Sequence, residues 1–327
     1  MKKNVRNELL NLMKVFAILL VFNSHCDPLY PVSYLATGGA LGNSLFFIIS
    51  GYLLRLRKPF LPFLGKRIAR LYPGVVIVVT LRILLGKTSI ANAGHFLSAY
   101  VWPTSFWFVG AIVLFDTLIY VLEKLNFRRH FLLFSLITGI LYIAAYIIIV
   151  DKSVWSVEEA GLSTPAQWFK LIYSFYIYAL GYTLRQAPAN ASAAKGWKIP
   201  ALAWLCFMLN IGIKALFVAM PYTLRFQFMA QVFCIGFAYY SLLTALEFEE
   251  NYLKKTAEAF RRVICEYSKM SLEMYLVQFG MIGICLNLFF PLNVVSAFIL
   301  TSVSAYVLHR IDQWIGGKLT TWIALSK

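Results

Sequence analysis

A short polar stretch near the start of the chain has residue types suited to proton transfer. Asn23, Ser24 and His25 end an apolar run, Lys14 lies eleven residues before His25 in the same run, and Asp27 follows it. On an α-helix eleven residues turn through about 1100° and rise roughly 16 Å, so Lys14 and His25 share one face. Polar neighbours that hold an imidazole in one tautomer favour its use as a general base. We therefore expect His25 to be catalytic, with Asn23 and Lys14 supporting it.

Lys14 and His25 also have a simpler interpretation. At the two ends of a membrane span, a lysine can extend its ammonium to one headgroup layer and a histidine can lie in the other. Ionisable groups on one face of a span are costly unless that face meets the bundle interior or water, which favours a site. Spacing alone leaves both interpretations open.

A basic loop supplies a second group of candidates. Arg67 and Arg70 lie three positions apart, with Lys66 before them, in a helical stretch that Pro73 is expected to end. Two guanidinium groups one turn apart suit phosphate oxygens, such as those of an acyl-CoA donor. Contact between a basic loop and anionic lipid explains the same residues equally well.

The second apolar segment carries small and polar residues. Ser50 and Gly51 end its run of Phe and Ile residues, and Gly42, Asn43 and Ser44 precede that run. Small side chains within a span let a neighbouring helix approach closely, so packing alone explains this pattern.

The composition places these candidates in a membrane protein. Of 327 residues, 60% are hydrophobic and 13% are charged, whereas soluble domains carry about 25% charged residues. Apolar runs of about 20 residues, each sufficient for a ~30 Å hydrocarbon core, recur along the chain. We predict an all-α, polytopic transmembrane helix bundle that forms a single domain over 1–327. The expected spans are about ten, at 8–25, 36–54, 73–86, 105–122, 131–150, 168–185, 199–219, 224–246, 270–290 and 292–310.

The basic residues set the expected orientation. Cytoplasmic segments are enriched in Lys and Arg, and a cytoplasmic N-terminus would put 24 of the 30 basic residues inside. Both termini would then be cytoplasmic, with the acidic segment 151–167 outside and the polar segment 186–198 inside. This topology explains the net charge of +16 without a nucleic-acid partner. The basic segments 55–72 and 247–269 are expected to form interfacial amphipathic helices.

The N-terminal run is expected to stay as the first span, because Lys14 interrupts it and many spans follow. The five cysteines show no C-x-x-C spacing, so neither a disulfide framework nor a metal site is expected. They are interpreted as small apolar filler: Cys26, Cys206, Cys234, Cys265 and Cys285.

Together these motifs resemble the membrane-bound acyltransferase-3 family. The resemblance rests on a polar residue-x10-His first span ending at His25, a Phe-Phe-x-x-Ser-Gly second span, and Arg-x-x-Arg before Tyr72-Pro73. It continues in a Phe-Trp-Phe stretch around Trp107 and in the Ser-x-x-x-Tyr-Leu-x-Gln stretch 271–278, so it covers nearly the whole chain.

The resemblance implies an O-acyltransferase of the bacterial inner membrane. The expected donor is acetyl-CoA or another acyl-CoA from the cytoplasm, and the expected acceptor is a hydroxyl of a surface polysaccharide or lipid-linked glycan. No metal or permanently bound cofactor is implied. Ser50 joins Lys66, Arg67 and Arg70 as expected donor-binding residues. The expected substrate-binding residues are Trp107, Asp116, Glu273, Tyr275 and Gln278, although mutual or Lys/Arg pairing explains the two acids as well.

The chain departs from the family pattern in several places. Lys14 stands where the family usually has Arg, Asn43-Ser44 where many members have Val-Asp, and Gln278 where many have His. Lys14 keeps the charge but not the bidentate fork, and Gln278 removes a possible second proton carrier. A glutamate that one branch of the family carries after the fourth-span Trp is also missing, with Asp116 as the nearest acid.

Two other functions fit parts of the pattern. A carrier of a glycan or lipid-linked precursor would use the same polar faces as a path, and broken spans in matched halves would favour it. A structural or sensory subunit would leave His25 unexplained. We expect His25 to be the base, with desolvation favouring the neutral imidazole, and an acyl-histidine intermediate stays possible.

Overall fold

The chain is helical throughout the part that the structure describes. The computed structural model describes residues 8–56, 58–149, 165–185 and 196–325, and none of these lies in a strand. The predicted all-α class is confirmed. These residues form thirteen α-helices: α1 (Glu8–His25), α2 (Gly39–Leu53), α3 (Phe60–Leu84), α4 (Ala93–Phe96), α5 (Trp107–Lys124), α6 (Phe131–Ile149), α7 (Pro165–Leu184), α8 (Lys198–Ala219), α9 (Phe228–Glu247), α10 (Glu249–Lys255), α11 (Glu258–Lys269), α12 (Ser271–Ile284) and α13 (Leu292–Leu325).

Several helices are suited to a membrane. Within the described ranges, six segments are long and apolar enough to cross one, and α12 is a shorter apolar helix. Each of the ten predicted spans falls on a helix, although the count of ten and the orientation of the termini stay predictions. The six segments are Glu8–His25, Ala93–Lys124, Phe131–Ile148, Lys198–Ala219, Phe228–Glu247 and Leu292–Leu319.

The prediction that Pro73 ends the basic loop helix is wrong. Pro73 lies inside α3, which runs unbroken from the basic stretch into the third predicted span. Proline lacks the N–H that would bond to the carbonyl four residues earlier, here that of Ala69. Gly316 of α13 comes close to this carbonyl, since a Cβ built on Gly316 would lie only 3.1 Å from its oxygen. The proline is therefore accommodated within a continuous helix.

Other element ends also differ from the prediction. The last predicted span, 292–310, is part of α13, which continues to Leu325, and the span 270–290 is shortened to α12, which ends at Ile284. The segment 247–269 forms two helices, α10 and α11, and on α11 the side chains of Phe260 and Val263 are exposed as an interfacial helix requires. The segments 151–167 and 186–198 lie mostly outside the described residues.

The helices group into two compact units. Unit 1 comprises 1–53 and 177–301, and unit 2 comprises 54–176 and 302–327. In unit 1, α1 packs against α2, α9, α10, α11 and α12, and α8 packs against α9. In unit 2, α3 packs against α5. The prediction of a single domain over the whole chain stays a prediction.

Glycine allows a close helix crossing in unit 1. A Cβ on Gly51 would overlap the Tyr178 carbonyl oxygen, and a Cβ on Gly181 would overlap the Ile48 carbonyl oxygen. The backbones of α2 and the last turns of α7 therefore touch where the Phe-Phe-x-x-Ser-Gly stretch ends. The expectation that its small residues admit a neighbouring helix is confirmed.

Candidate active site

The helix that carries Lys14 and His25 is anchored at its first turn. The backbone N–H groups of Glu8 and Leu9 donate to the carboxylate oxygens of Glu249, at 2.5 and 2.8 Å. This acid satisfies two of the donors that a helix start leaves unpaired, and its charge complements the helix dipole. Arg261 of α11 forms an ion pair with Glu8 at 3.2 Å. Both contacts hold the start of α1 against α10 and α11.

Further along α1, a buried hydrogen bond repeats this anchoring. The Ser268 hydroxyl of α11 donates to the Asn11 side-chain oxygen at 3.0 Å, and both residues are buried. This bond satisfies the buried amide oxygen, while the amide nitrogen of Asn11 has no hydrogen-bond partner among the described residues. The register of α1 against α11 is therefore set one turn before Lys14.

The other end of α1 is fastened to the loop 26–38 by one side chain. The Asn23 amide nitrogen donates to the carbonyls of Leu35 and Thr37, at 2.8 and 2.9 Å. Its oxygen accepts from the Tyr30 hydroxyl at 2.6 Å. Three bonds to one amide use both of its donors, so Asn23 is committed to holding this loop beside the helix end.

Asn293 of α13 holds the same loop from its other side. Its amide nitrogen donates to the Leu29 carbonyl at 2.7 Å, and Asn293 is almost fully buried. An apolar cluster lies under these bonds, and its fully or nearly buried members are Phe22, Cys26, Leu29, Ile282, Cys285 and Ala297. The loop next to His25 is thus bonded to α1 and α13 and packed on α12.

His25 is half-buried and lies against an aromatic ring. The centroids of the imidazole and the Phe279 ring are 4.3 Å apart, with the planes tilted by 52°. Asn23 and Ser24 do not hydrogen-bond to the imidazole, because Asn23 binds the loop and the Ser24 hydroxyl donates to the Val21 carbonyl at 2.7 Å. The expectation that these two neighbours select the tautomer is therefore not met. Phe279 supplies an orienting contact instead.

Cys26 adjoins His25 but is not suited to act as a nucleophile. The residue is fully buried in the apolar cluster, and burial raises the pKa of its thiol to about 12. The thiolate is the reactive form of cysteine, so the thiol stays inert near neutral pH. A cysteine–histidine pair is therefore not the chemistry of this helix end.

The predicted residues of α12 line the interior of unit 1. Glu273, Tyr275 and Gln278 are all buried. Gln278 is fully enclosed, and neither its amide nitrogen nor its oxygen has a hydrogen-bond partner among the described residues. Leaving such a group unpaired costs about 1–3 kcal/mol, which indicates a position where a polar ligand group or water is needed. The other two unit 1 candidates, Lys14 and Ser50, are half-buried on α1 and α2.

In unit 2, the central observation is an ion pair between two predicted site residues. Arg67 on α3 contacts the fully buried Asp116 carboxylate on α5 through Nε at 2.7 Å, and its Nη2 donates to the other oxygen at 3.0 Å. The guanidinium thus faces both carboxylate oxygens, and the Phe63 ring lies 5.8 Å from it. Only the Nη2 contact has hydrogen-bond geometry, and the Nε–Oδ2 contact adds attraction between opposite charges.

The comparisons with known proteins decide the family. A family model described as an acyltransferase domain, acyltransferase-3, matches residues 7–310, nearly the whole chain. The chain belongs to the acyltransferase-3 family. No curated protein and no solved structure matches it. The resemblance in the motifs is confirmed, and with the apolar helices it makes the protein a membrane acyltransferase.

The ion pair changes how the Arg-x-x-Arg motif of this acyltransferase is interpreted. The simpler interpretation of Asp116, pairing with a basic residue, is the one the structure shows. Arg67 contacts Asp116 through Nε and Nη2, which leaves both N–H groups of Nη1 and one of Nη2 for another ligand. Arg70 and Lys66 are exposed on the same helix, where a phosphate can reach them.

Sequence reasoning missed several residues of these sites. Tyr30, Phe279 and Asn293 fix the surroundings of His25, and no spacing in the sequence marks any of them. Lys170 lies within the predicted span 168–185, and its ammonium nitrogen lies 3.8 Å from the centroid of the Trp107 ring. The sequence feature that could have identified Lys170 as a site candidate is its position inside a predicted span. The described residues contain no group of three or more His, Cys, Asp or Glu side chains placed to hold a metal.

Proposed function

We propose that this protein is an O-acyltransferase that moves an acetyl group from acetyl-CoA to a hydroxyl of a surface polysaccharide or lipid-linked glycan, in a bacterial inner membrane. The observation that supports it most is the acyltransferase-3 match over 7–310, combined with a histidine held at the end of an anchored helix. A thioester is already activated, so the protein has to supply a base, alignment of substrates and stabilisation of the oxyanion.

His25 is the base in this proposal. Its imidazole accepts the proton of the acceptor hydroxyl while the hydroxyl oxygen attacks the thioester carbonyl carbon. The tetrahedral intermediate collapses with cleavage of the carbon–sulfur bond, and the proton passes from the imidazolium to the leaving sulfur. The products are the O-acetyl ester and CoA. Phe279 restricts the orientation of the ring, and the loop 26–38 borders it.

The charged and polar residues divide between the two substrates. Arg70 and Lys66 contact the donor phosphates, with Nη1 of Arg67 as a third donor, and Ser50 completes the donor residues. Lys14 acts through its charge, so arginine should replace it better than methionine. Trp107, Glu273, Tyr275 and Gln278 are assigned to the acceptor, while Asp116 acts through Arg67 and holds it in place.

The test is acyl transfer from labelled acetyl-CoA by purified protein in liposomes. A positioned base typically contributes 10²–10⁴-fold, so His25→Ala should lower turnover by that order. His25→Gln should not restore activity, because an amide can hydrogen-bond but cannot take the proton.

His130→Ala provides the matched control. His130 lies in the turn between α5 and α6 of unit 2, and its replacement should leave transfer unchanged. Near-native transfer by His25→Ala would remove the chemical basis of the proposal. Substrate movement across the liposome membrane would then be measured, because a carrier is the function that would take its place.

A further inference from the structure

Two cations of unit 2 rest on two neighbouring aromatic rings. The Lys170 ammonium on α7 lies 3.8 Å from the centroid of Trp107, the first residue of α5. The Arg82 guanidinium near the end of α3 lies 6.0 Å from the ring centroid of Phe106, the residue that precedes Trp107 in the chain. An ammonium or guanidinium over a ring face is attracted by the ring quadrupole, most strongly by tryptophan.

Neither cation is neutralised by the described part of the chain. All ion pairs among the described residues involve other partners, and no carboxylate lies within ion-pair distance of Lys170 or Arg82. Both side chains are half-buried rather than fully solvated. A ring face attracts a cation but does not cancel its charge, so a half-buried cation in a predicted span requires an anion or water. Arg67 in the same unit has its carboxylate.

The surrounding helices hold this region together. The Tyr72 hydroxyl of α3 donates to the Val101 carbonyl at 2.7 Å, and the hydroxyls of Thr80 and Tyr100 are 3.0 Å apart. These bonds tie the segment before α5 to the half of α3 that carries Arg82. Arg82 and both rings therefore belong to one region of unit 2, and Lys170 joins this region through its contact with the Trp107 ring.

We propose that Lys170, Arg82 and the Phe106–Trp107 pair form a binding site for an acidic group, a phosphate or a carboxylate. The two positive charges provide the attraction, and the rings hold the cations in place without neutralising them. The identification of this group as part of the acyl acceptor rests on the proposed function, and it would make the acceptor an acidic glycan or a glycan on a lipid phosphate. The binding itself does not depend on acyl transfer.

The experiment observes Trp107 directly. Protein labelled with 5-fluorotryptophan, in nanodiscs of phosphatidylcholine, is titrated with inorganic pyrophosphate and with glucuronate while the fluorine resonances are recorded. The Trp107 resonance, assigned by its loss in Trp107→Phe, should shift and saturate with at least one of the two probes. Trp314 is the internal control, because Lys318 lies 3.8 Å from its ring centroid with the tryptophan exposed. That resonance should not move.

Substitutions then connect the shift to the cations. Lys170→Gln and Arg82→Gln should each weaken probe binding by about tenfold or more, since charged hydrogen bonds contribute on that scale. Lys170→Arg should keep it, which guards against a variant that fails only because it misfolds. Equal shifts at Trp107 and Trp314, or no shift of Trp107 with either probe, would overturn the site.

Two further arms separate the sources of the anion. A Trp107 shift on replacing phosphatidylcholine with phosphatidylglycerol would support the site and assign the acidic group to a lipid headgroup. A shift in the combined Asp151→Asn, Glu158→Gln, Glu159→Gln variant without any probe would show that the chain's own carboxylates occupy the cations. That result would overturn the proposal. None of these outcomes bears on His25, so failure here leaves the proposed function to its own test.

Discussion

The helix that carries His25 and the helices that carry Arg67 and Asp116 are held by different kinds of interaction. At the His25 end of α1, in unit 1, the side chains bond to backbone groups: Asn23 to two carbonyls, and Asn293 to the loop carbonyl of Leu29. The start of α1 combines such bonds from Glu249 with an ion pair between Arg261 and Glu8. In unit 2, Arg67 and Asp116 are fixed by each other.

This difference distinguishes residues that position a site from residues whose own groups could act on a substrate. Bonds to the backbone place a helix end and a loop without using the imidazole beside them. An ion pair uses the charged groups themselves, so a motif arginine that makes one presents only the other edge of its guanidinium to a substrate. The unit 1 arrangement therefore suits a site of proton transfer, while Arg67 serves first to hold its own unit together.

The largest expected effect comes from breaking the ion pair on one side. Asp116→Ala leaves a guanidinium facing a buried cavity, and removing one partner of a buried pair costs about 3–5 kcal/mol. We expect a clear loss of thermal stability and of folded yield in detergent, whereas His25→Ala should leave stability nearly unchanged. Thermal unfolding of the purified variants measures both.

A double substitution tests whether the charge is responsible. Arg67→Met with Asp116→Leu replaces both partners by apolar side chains and should recover most of the lost stability, because no unpaired charge remains. If the double variant is as unstable as Asp116→Ala, packing volume rather than charge pairing stabilises this part of unit 2. The contrast with unit 1 would then be lost.

The glycine crossing in unit 1 should give the next largest effect. Gly51→Ala places a methyl group onto the Tyr178 carbonyl oxygen, and overpacking of this kind typically costs about 1–3 kcal/mol. Gly280→Ala is the matched control, because a Cβ there meets nothing within 4 Å and alanine favours a helix. Lower thermal stability of Gly51→Ala alone would show that unit 1 depends on this backbone contact. Equal stability of the two variants would contradict it.

The sequence predicted the class of fold and the helices well, because apolar runs and Lys/Arg placement depend only on local composition. The prediction from sequence was wrong at Pro73, where the presence of a proline was expected to end the helix. The cost of proline inside a helix is a local rule, and the helix continues because the packing of α3 within unit 2 outweighs it. The family motifs marked His25, Arg67 and Gly51, and the structure gives each of these a distinct environment.

What the sequence left out depends on long-range contacts. Asn293 follows the loop after α12 and is separated from Leu29 by 264 residues, so no local pattern links them. Asp116 was recognised as a candidate or an ion-pair partner, yet only the packing of α3 on α5 shows that Arg67 is the partner. Lys170 and Trp107 are a similar case, because both are visible in the sequence while the contact between them is not.

Loosening the loop beside His25 should have a smaller effect that appears mainly in the kinetics. Asn23→Ala removes three bonds to the loop 26–38, each worth about 0.5–1.5 kcal/mol net, and water can replace part of them because the Leu35 carbonyl bond is exposed and the Thr37 bond is part-buried. We expect faster hydrogen exchange in this loop and a higher KM for the acceptor, with kcat reduced less than by His25→Ala. Asn92→Ala, which removes the N-cap of α4 in unit 2, should change neither. A loss of kcat as large as that of His25→Ala would instead make Asn23 part of the chemistry.

The smallest effect on acyl transfer is expected at Cys26. This residue tests whether the side chain next to the base only packs or also reacts. Burial raises the pKa of this thiol from 9.0 to about 12, so the folded state keeps its proton where the unfolded chain begins to lose it. The resulting stabilisation is complete below about pH 9 and is lost as the pH rises from there toward 12. At pH 7 the thiol is neutral, and Cys26→Ala should change acyl transfer by no more than about twofold, because only a small apolar contact is removed.

In the unchanged protein, iodoacetamide should modify the partly exposed Cys265 well before Cys26. Rapid alkylation of Cys26 at pH 8, with a loss of transfer as large as that of His25→Ala, would show that a thiolate takes part in the reaction. Cys26 would then be a reacting group and not a packing residue beside the base.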